Sequence, residues 1–176
     1  MSFVTGLTTA QIQVLTTTQI QNLTTADIIA LSSTQIAAFT STQIQAFETR
    51  DLVAFTTAQV QAGFTTDQIA ALTSTELAVL TTAQVRALTT TQVAAIETSD
   101  LAQMTTGQIA AFTTAQIRSG LTTDQIVALG TNQVSAITTT NIQALSTDQI
   151  QALETRDLVV LTTGQIAALT TTQVRT

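Results

Sequence analysis

The sequence is built from one octapeptide, L-T-T-x-Q-I-x-A, which recurs 21 times between Leu7 and Thr176. Position 1 is apolar and position 6 is Ile, Val or Leu in all 21 octads, whereas position 5 is Gln in 15 of them. Residues 1–6 form a leader that keeps the frame, and the single residues Gly63 and Gly120 interrupt the array. An isolated octad buries too little apolar surface to fold, so neighbouring octads have to share a core.

Each octad carries the signals that start a helix. Thr at position 2 and Gln at position 5 have the spacing of a capping box, in which each side chain bonds to the backbone N–H of the other residue. The apolar residues at positions 1 and 6 have the spacing of a hydrophobic staple. Leu7, Thr8, Gln11 and Ile12 show both patterns first. We therefore predict one helix per octad, from position 3 to position 8, with positions 4 and 7 facing solvent.

The predicted fold is an all-α solenoid of about 21 short capped helices. One continuous helix is disfavoured, because its apolar stripe would advance by about 80° per octad and wind around the axis. A β-solenoid is the alternative, since an even period preserves strand register and Thr, Ile and Val favour strands. Positions 1 and 6 would then face opposite sides, and Ala and Gln favour helix. We expect residues 7–176 to form a single solenoid after the leader 1–6.

The composition removes most catalytic and nucleic-acid-binding chemistry. The chain has no Cys, no His and no Lys, so it has no thiolate, no imidazole and no lysine to bind phosphate. A net charge of −6 with five Arg argues against a nucleic-acid surface. No run of 18 apolar residues is present, which argues against membrane insertion, and no classical signal peptide is visible at the start. We predict a protein that is not an enzyme and has no cofactor.

Three octads depart from the repeat together, because Glu replaces Thr at position 2 and Asp replaces Gln at position 5. The pairs are Glu48 and Asp51, Glu97 and Asp100, and Glu154 and Asp157. Carboxylates three residues apart share a helix face, so one interpretation is a cation site. The other is that acidic first turns complement the helix dipole. Two carboxylates do not complete a Ca²⁺ shell, so we favour the dipole and predict no metal site and no catalytic residue.

The insertions and the ends of the array lead to two further expectations. We interpret Gly63 and Gly120 as residues that relieve a turn. The first and last octads look like interior ones, so Leu7, Ile12 and Val174 are expected to be exposed in a monomer, as is Leu169. Either the sequence is a piece of a longer array, or its uncapped end repeats pair with other copies. In the second case the predicted partner is a second copy, bound end to end in an open filament.

The L-T-T-x-Q-[IV]-x-A octads resemble the octapeptide arrays of large bacterial secreted or cell-surface proteins of the adhesin type. The resemblance implies a structural or adhesive role outside the cell and supplies no catalytic residues. We therefore expect a rigid spacer or a self-assembling filament subunit on a bacterial surface. The alternative is a peptide- or glycan-binding module whose groove is lined by positions 4 and 7. These positions are mostly Ala, Thr and Gln, which favours the structural role.

Overall fold

Every octad forms one short helix in the computed structural model, which describes residues 2–175. The prediction of an all-α repeat solenoid is confirmed, and no strand is present among the described residues, so the β-solenoid alternative is wrong. The chain divides into two compact units, Met1–Leu88 and Thr89–Thr176. The expectation that residues 7–176 form a single solenoid stays a prediction.

Most helices run from position 3 to position 8, as predicted, and the shortest ones end at position 6. The helices of the first unit are Thr9–Gln13, Thr17–Gln21, Thr25–Ala30, Ser33–Ala38, Ser41–Ile44, Thr49–Ala54, Thr57–Gly63, Thr66–Ala71, Ser74–Val79 and Thr82–Ala87. The helices of the second unit are Thr90–Ala94, Thr98–Leu101, Thr106–Ala111, the π-helix Gln116–Gly120, Thr123–Ala128, Thr131–Ala136, Thr139–Ala144, Thr147–Ala152, Thr155–Leu158, Thr163–Ala168 and Thr171–Val174. None of the helices within 2–175 has the length and apolar content needed to cross a membrane.

A capping box sets the start of most helices, and the residues that form it also make the chain turn. Thr56 has an extended backbone (φ −70°, ψ 157°), its N–H donates to Gln59 Oε1 at 2.8 Å, and Gln59 N donates to Thr56 Oγ1 at 3.2 Å. The preceding Phe55 is extended as well (φ −60°, ψ 133°) and is buried. Two consecutive extended residues, Phe55 and Thr56, therefore form the corner between these two helices without Pro or Gly. We call this junction, from position 6 of one octad to position 2 of the next, a corner.

Within each unit, the helix of one octad packs on the helix of the octad three places later. In the first unit Thr9–Gln13 packs on Ser33–Ala38, which packs on Thr57–Gly63. In the second unit Thr139–Ala144 packs on both Gln116–Gly120 and Thr163–Ala168. Three octads thus make one superhelical turn, and the corners of successive turns stack on each other.

Side chains at positions 1 and 6 form the core, and position 6 faces the turn that follows. Ile12 and Ile20 are fully buried in the first turn, whereas Val174 is exposed in the last turn. The expectation that Ile12 is exposed is therefore wrong, because the second turn covers it, and the expectation for Val174 is confirmed. Leu7 and Leu169 are half-buried.

Four phenylalanines at position 1 of consecutive octads contact one another inside the first unit. The rings of Phe39, Phe47, Phe55 and Phe64 make edge-to-face contacts in that order, with centroids 5.0 to 5.5 Å apart. All four side chains are buried. These contacts add aromatic pair energy to the apolar burial.

The inserted glycines lie inside helices, so the interpretation of Gly63 and Gly120 as turn residues is wrong. Neither has a φ in the left-handed region. Gly63 ends a seven-residue helix, and a Cβ on it would lie 3.0 Å from Ile36 Cβ. A Cβ on Gly120 would lie 3.2 Å from Val93 Cβ. The extra residue is absorbed by lengthening or widening a helix, and it has to be Gly because the preceding superhelical turn approaches so closely.

Replacing Gly63 by Ala is expected to lower the free energy of unfolding by about 1–3 kcal/mol, because the new methyl group overpacks against Ile36. Thermal unfolding followed by circular dichroism measures the change. Gly107→Ala is the matched control, since Gly107 is exposed in a helix and its nearest neighbour is Thr105 Oγ1 at 3.9 Å. That variant should gain about 0.5–1 kcal/mol from reduced backbone entropy in the unfolded state. Equal effects of the two substitutions would contradict the close-packing explanation.

Candidate functional site: the stacked corners

The polar side chains of the array converge at the corners, where the glutamine of position 5 is buried. In the first unit Gln68 Nε2 donates to Ile36 O at 2.8 Å and to Phe39 O at 2.7 Å. These carbonyl groups belong to position 6 of one octad and position 1 of the next, one turn below. The same amide carries Oε1, which accepts from the N–H of Thr65 at 2.9 Å. One side chain therefore caps its own helix and also binds the corner below.

Nearly every amide side chain at position 5 makes the same contacts when the preceding superhelical turn lies in the same unit. The glutamines that donate to two such carbonyl groups are Gln35, Gln43, Gln59, Gln68 and Gln84 in the first unit and Gln125, Gln133, Gln149, Gln165 and Gln173 in the second. Gln35 binds Val4 O and Leu7 O, so the leader occupies the place of an octad. The C-terminal carbonyl groups that a short helix leaves unpaired are satisfied in this way.

Sequence reasoning identified the cap but missed this second role of the glutamine. A capping box accepts Glu as readily as Gln, yet this acidic chain has Gln at 15 of the position 5 sites and Glu only at Glu76. The preference for an amide over a carboxylate was the available signal, because only the amide has a donor for the carbonyl groups. The threonines of position 2 are likewise occupied as caps, as at Thr65, whose Oγ1 accepts from Gln68 N at 3.2 Å.

In two of the three acidic octads an arginine lies between the paired carboxylates. Arg50 Nε is 2.9 Å from Glu48 Oε2 and 3.7 Å from Asp51 Oδ1. In the second unit Arg156 Nε is 2.7 Å from Glu154 Oε2 and 3.8 Å from Asp157 Oδ1. The guanidinium group supplies there the positive charge that the cation interpretation requires from a metal ion.

The third acidic octad has no arginine at the equivalent position, which is Ser99. Glu97 begins the helix Thr98–Leu101 without a side-chain cap, and Asp100 is half-buried. Within residues 2–175 no three carboxylate, His or Cys side chains are grouped so as to hold a metal ion. That the three pairs bind no metal stays a prediction.

An aspartate at position 5 cannot make both contacts of the glutamine, because its carboxylate has no donor for the carbonyl groups and its side chain is one methylene shorter. Asp157 Oδ2 accepts from Glu154 N at 3.2 Å, but Asp157 Oδ1 is fully buried and accepts no hydrogen bond. Asn141 keeps the contact between turns and loses the cap. Its Nδ2 donates to Phe112 O at 2.7 Å, but its helix lacks the capping box. Arg156 Nη2 donates to Val127 O at 3.1 Å and so partly replaces the missing amide.

Asp51 is buried in the same way, and burial raises the pKa of its carboxyl group above 3.8, although the N–H of Glu48 and the charge of Arg50 act in the opposite direction. A raised pKa means that folding favours the protonated form. The stabilisation from Asp51 is therefore complete below the ordinary carboxyl pKa and is lost as the pH rises through the folded-state value.

Asp27 is the position 5 aspartate that faces donors instead of carbonyl groups. Its Oδ1 accepts from Ser2 Oγ and from Phe3 N, both at 2.7 Å, and its Oδ2 accepts from Thr24 Oγ1 at 2.6 Å. These hydrogen bonds hold the pKa of Asp27 well below its usual range. The leader thus presents donors to the corner above it, and the residue at position 5 is an acceptor.

Replacing Gln68 by Glu is expected to lower the free energy of unfolding by about 3 kcal/mol at pH 7, because the cap survives but a buried carboxylate then faces two carbonyl oxygens. Chemical denaturation at constant pH measures this. Gln11→Glu is the matched control, since Gln11 makes the same cap and is exposed; a change within about 0.5 kcal/mol is expected. A small effect at Gln68 would show that the inter-turn amide bonds contribute little.

Replacing Asp51 by Asn is expected to raise the free energy of unfolding by about 1 kcal/mol at pH 7, because the amide donates to the corner below as Asn141 does. The gain should shrink as the pH falls through the raised pKa of Asp51, because the wild-type carboxyl group then becomes protonated. Thermal unfolding between pH 3.5 and pH 7, values chosen about the ordinary carboxyl pKa, measures both effects. Asp67→Asn, at an exposed position 4, is the control. A destabilised Asp51 variant would show that the Arg50 pair outweighs the missing amide.

Comparison with known proteins agrees with the octad pattern. The family model described as the ALTTAQ repeat matches six overlapping stretches, residues 20–49, 44–82, 62–95, 93–131, 126–155 and 150–176. Together these stretches run without interruption from residue 20 to residue 176. No curated protein matches the chain.

Proposed function

Since the chain belongs to the ALTTAQ repeat family, we propose that it is a non-enzymatic structural protein, a rigid spacer or filament subunit on a bacterial surface. The observation that carries the proposal is the use of the position 5 glutamines. Each amide group in this set is engaged at both ends by backbone groups, as in Gln133, which binds Gly130, Leu101 and Met104. The side chains that define the repeat therefore serve packing and leave little for catalysis.

The outward-facing positions support a structural role as well. Position 4 is exposed in every octad, and position 7 is exposed in most. The residues there are mainly Ala, Thr and Gln, which offer small, uncharged and chemically uniform surfaces. A binding surface would instead concentrate diverse aromatic or charged groups at a few adjacent octads. The surface location is supported only by the resemblance of the octads to those of bacterial secreted and cell-surface proteins.

A test of the proposed location uses intact bacterial cells that produce the protein. Brief treatment with an external protease should remove the octad array, detected with an antibody, while a cytoplasmic marker enzyme remains whole. Gly63→Asn, which loosens the buried helix end at Ile36, should be removed faster because local opening exposes the backbone to the protease. Survival of the array on intact cells, followed by its loss after lysis, would contradict the surface role.

One feature favours the alternative of a peptide- or glycan-binding module. A groove of about 340 Å³ in the first unit is lined by Gln21, Asn22, Leu23, Thr24, Thr25 and Arg50. Its hydroxyl, amide and guanidinium groups are suited to hydrogen bonding with sugar hydroxyl or peptide carbonyl groups. Chemical-shift changes confined to these residues on addition of an oligosaccharide would favour this alternative over a purely structural role.

A further inference from the structure

All the acidic residues at position 5 of the first unit lie in a single stack of helices. The helices of this stack, which pack on one another in chain order, are Thr25–Ala30, Thr49–Ala54 and Ser74–Val79. Their position 5 residues are Asp27, Asp51 and Glu76. Every other octad of the unit has Gln at this position. We call the column formed by the three acidic residues the acidic edge.

Asp51 lies above a corner to which no amide side chain donates. A glutamine at position 5 binds the carbonyl group 28 residues earlier, as Gln59 Nε2 binds Leu31 O at 2.8 Å. The same spacing assigns Leu23 O to Asp51. Leu23 O accepts no hydrogen bond within residues 2–175, and Asp51 is 1% exposed. The buried carboxyl group of Asp51 thus stands where the other stacks have a donor.

Glu76 stands in the same relation to the corner one turn below it. Gln84, whose partners also precede the inserted glycine, binds Phe55 O 29 residues earlier at 2.8 Å. That spacing assigns Phe47 O to Glu76, and Phe47 O accepts no hydrogen bond in the described part of the chain. Glu76 Oε2 accepts from the N–H of Thr73 at 2.7 Å and from its hydroxyl group at 2.8 Å. The other carboxyl oxygen is therefore the counterpart of the glutamine Nε2.

The charge state of these carboxyl groups decides whether they can join two turns. An ionised carboxylate only accepts hydrogen bonds, so it faces a carbonyl oxygen without a donor, whereas a protonated carboxyl group has one O–H to donate. Glu76 has the length of the glutamines. Asn141, which has the length of Asp51, reaches Phe112 O at 2.7 Å. Protonation therefore supplies the contact that the amide group makes in the other stacks.

The charged groups around Asp51 favour a bound proton. Arg50 Nε lies 2.9 Å from Glu48 Oε2 and 3.7 Å from Asp51 Oδ1, so the guanidinium group is closer to the exposed partner. The helices packed against that of Asp51 carry Asp27 below and Glu76 above. The surrounding carboxylates thus outnumber the single guanidinium group. Burial is the largest influence, and it raises the pKa of Asp51.

We propose that the acidic edge is a pH-dependent joint of the first unit. In acid the carboxyl groups of Asp51 and Glu76 donate to the corners below them and close this edge. Near neutral pH the edge opens locally, while the two edges built from glutamine stay closed. The inference goes beyond the proposed structural role, because it makes the stiffness of one edge depend on the medium. It rests only on packing within the first unit.

Native-state hydrogen exchange of the 176-residue chain, followed by NMR, tests the joint. Leu52 N donates to Glu48 O, and Val60 N donates to Thr56 O. Both are position 6 amides at a helix start, one on the acidic edge and one on a glutamine edge. The protection factor of Leu52 relative to that of Val60 should fall about tenfold between about pH 4.5 and about pH 7.5. The ratio cancels general effects of charge, and this range stays above the sequence pI of about 4.1.

Amide substitutions on the acidic edge test the cause of this change. The double variant Asp51→Asn, Glu76→Gln has a donor at every pH, so its ratio should stay constant within about twofold. Asp67→Asn is the matched control, because Asp67 is exposed at position 4 outside the acidic edge; its ratio should change with pH as in wild type. An equal pH response at Leu52 and Val60, or a response that survives in the double variant, would overturn the proposal. A ratio that follows sodium chloride concentration and not pH would indicate a bound cation and would overturn it as well.

Discussion

In many octads the amide group at position 5 joins the start of one helix to the end of another. In helices of four to seven residues most backbone N–H and C=O groups lie in a terminal turn, so capping dominates their stability. Gln68 satisfies both kinds of terminal group. Its Oε1 accepts from a backbone N–H at the start of its own helix, and its Nε2 donates to a carbonyl group at the end of a helix one turn below. The apolar core and the corners depend on this bridge, since it fixes the height at which one turn rests on the next.

The local half of this design was predictable from the sequence, and the non-local half was not. The spacing of Thr56 and Gln59 specifies a cap whatever the rest of the chain does, so helix starts followed from the octad alone. The partner of the Gln59 amide lies 28 to 31 residues earlier, at Leu31 and Ile28, and depends on how many octads complete a turn. The burial of Ile12 also depends on how many octads complete a superhelical turn. The close approach at Gly63 required the positions of two helices that are distant in sequence.

The exceptions at position 5 follow the chemistry of the neighbour below. Most position 5 residues that lie above carbonyl groups are amides, whereas Asp27 lies above Ser2 and Phe3 and accepts hydrogen bonds from them. Where Asp157 stands over carbonyl groups, the arginine before it contributes a donor to Val127 O. The acidic octads, which the sequence presents as pairs within one helix, are thus better understood as altered contacts between turns. Their cost in stability is the buried Asp157 oxygen that no donor reaches.

Because three octads complete one superhelical turn, the structural effect of a duplication within a unit depends on how many octads it contains. Duplicating 24 residues adds one superhelical turn and leaves every existing side chain on the same side of the superhelix. Duplicating a single octad leaves every cap intact, but it changes which octads stack across the insertion and rotates everything downstream by one third of a revolution. Ile29 and Val53, which now lie on the same flank because their helices stack, would then part. Such an array keeps a continuous outer stripe only when its length changes by multiples of three octads.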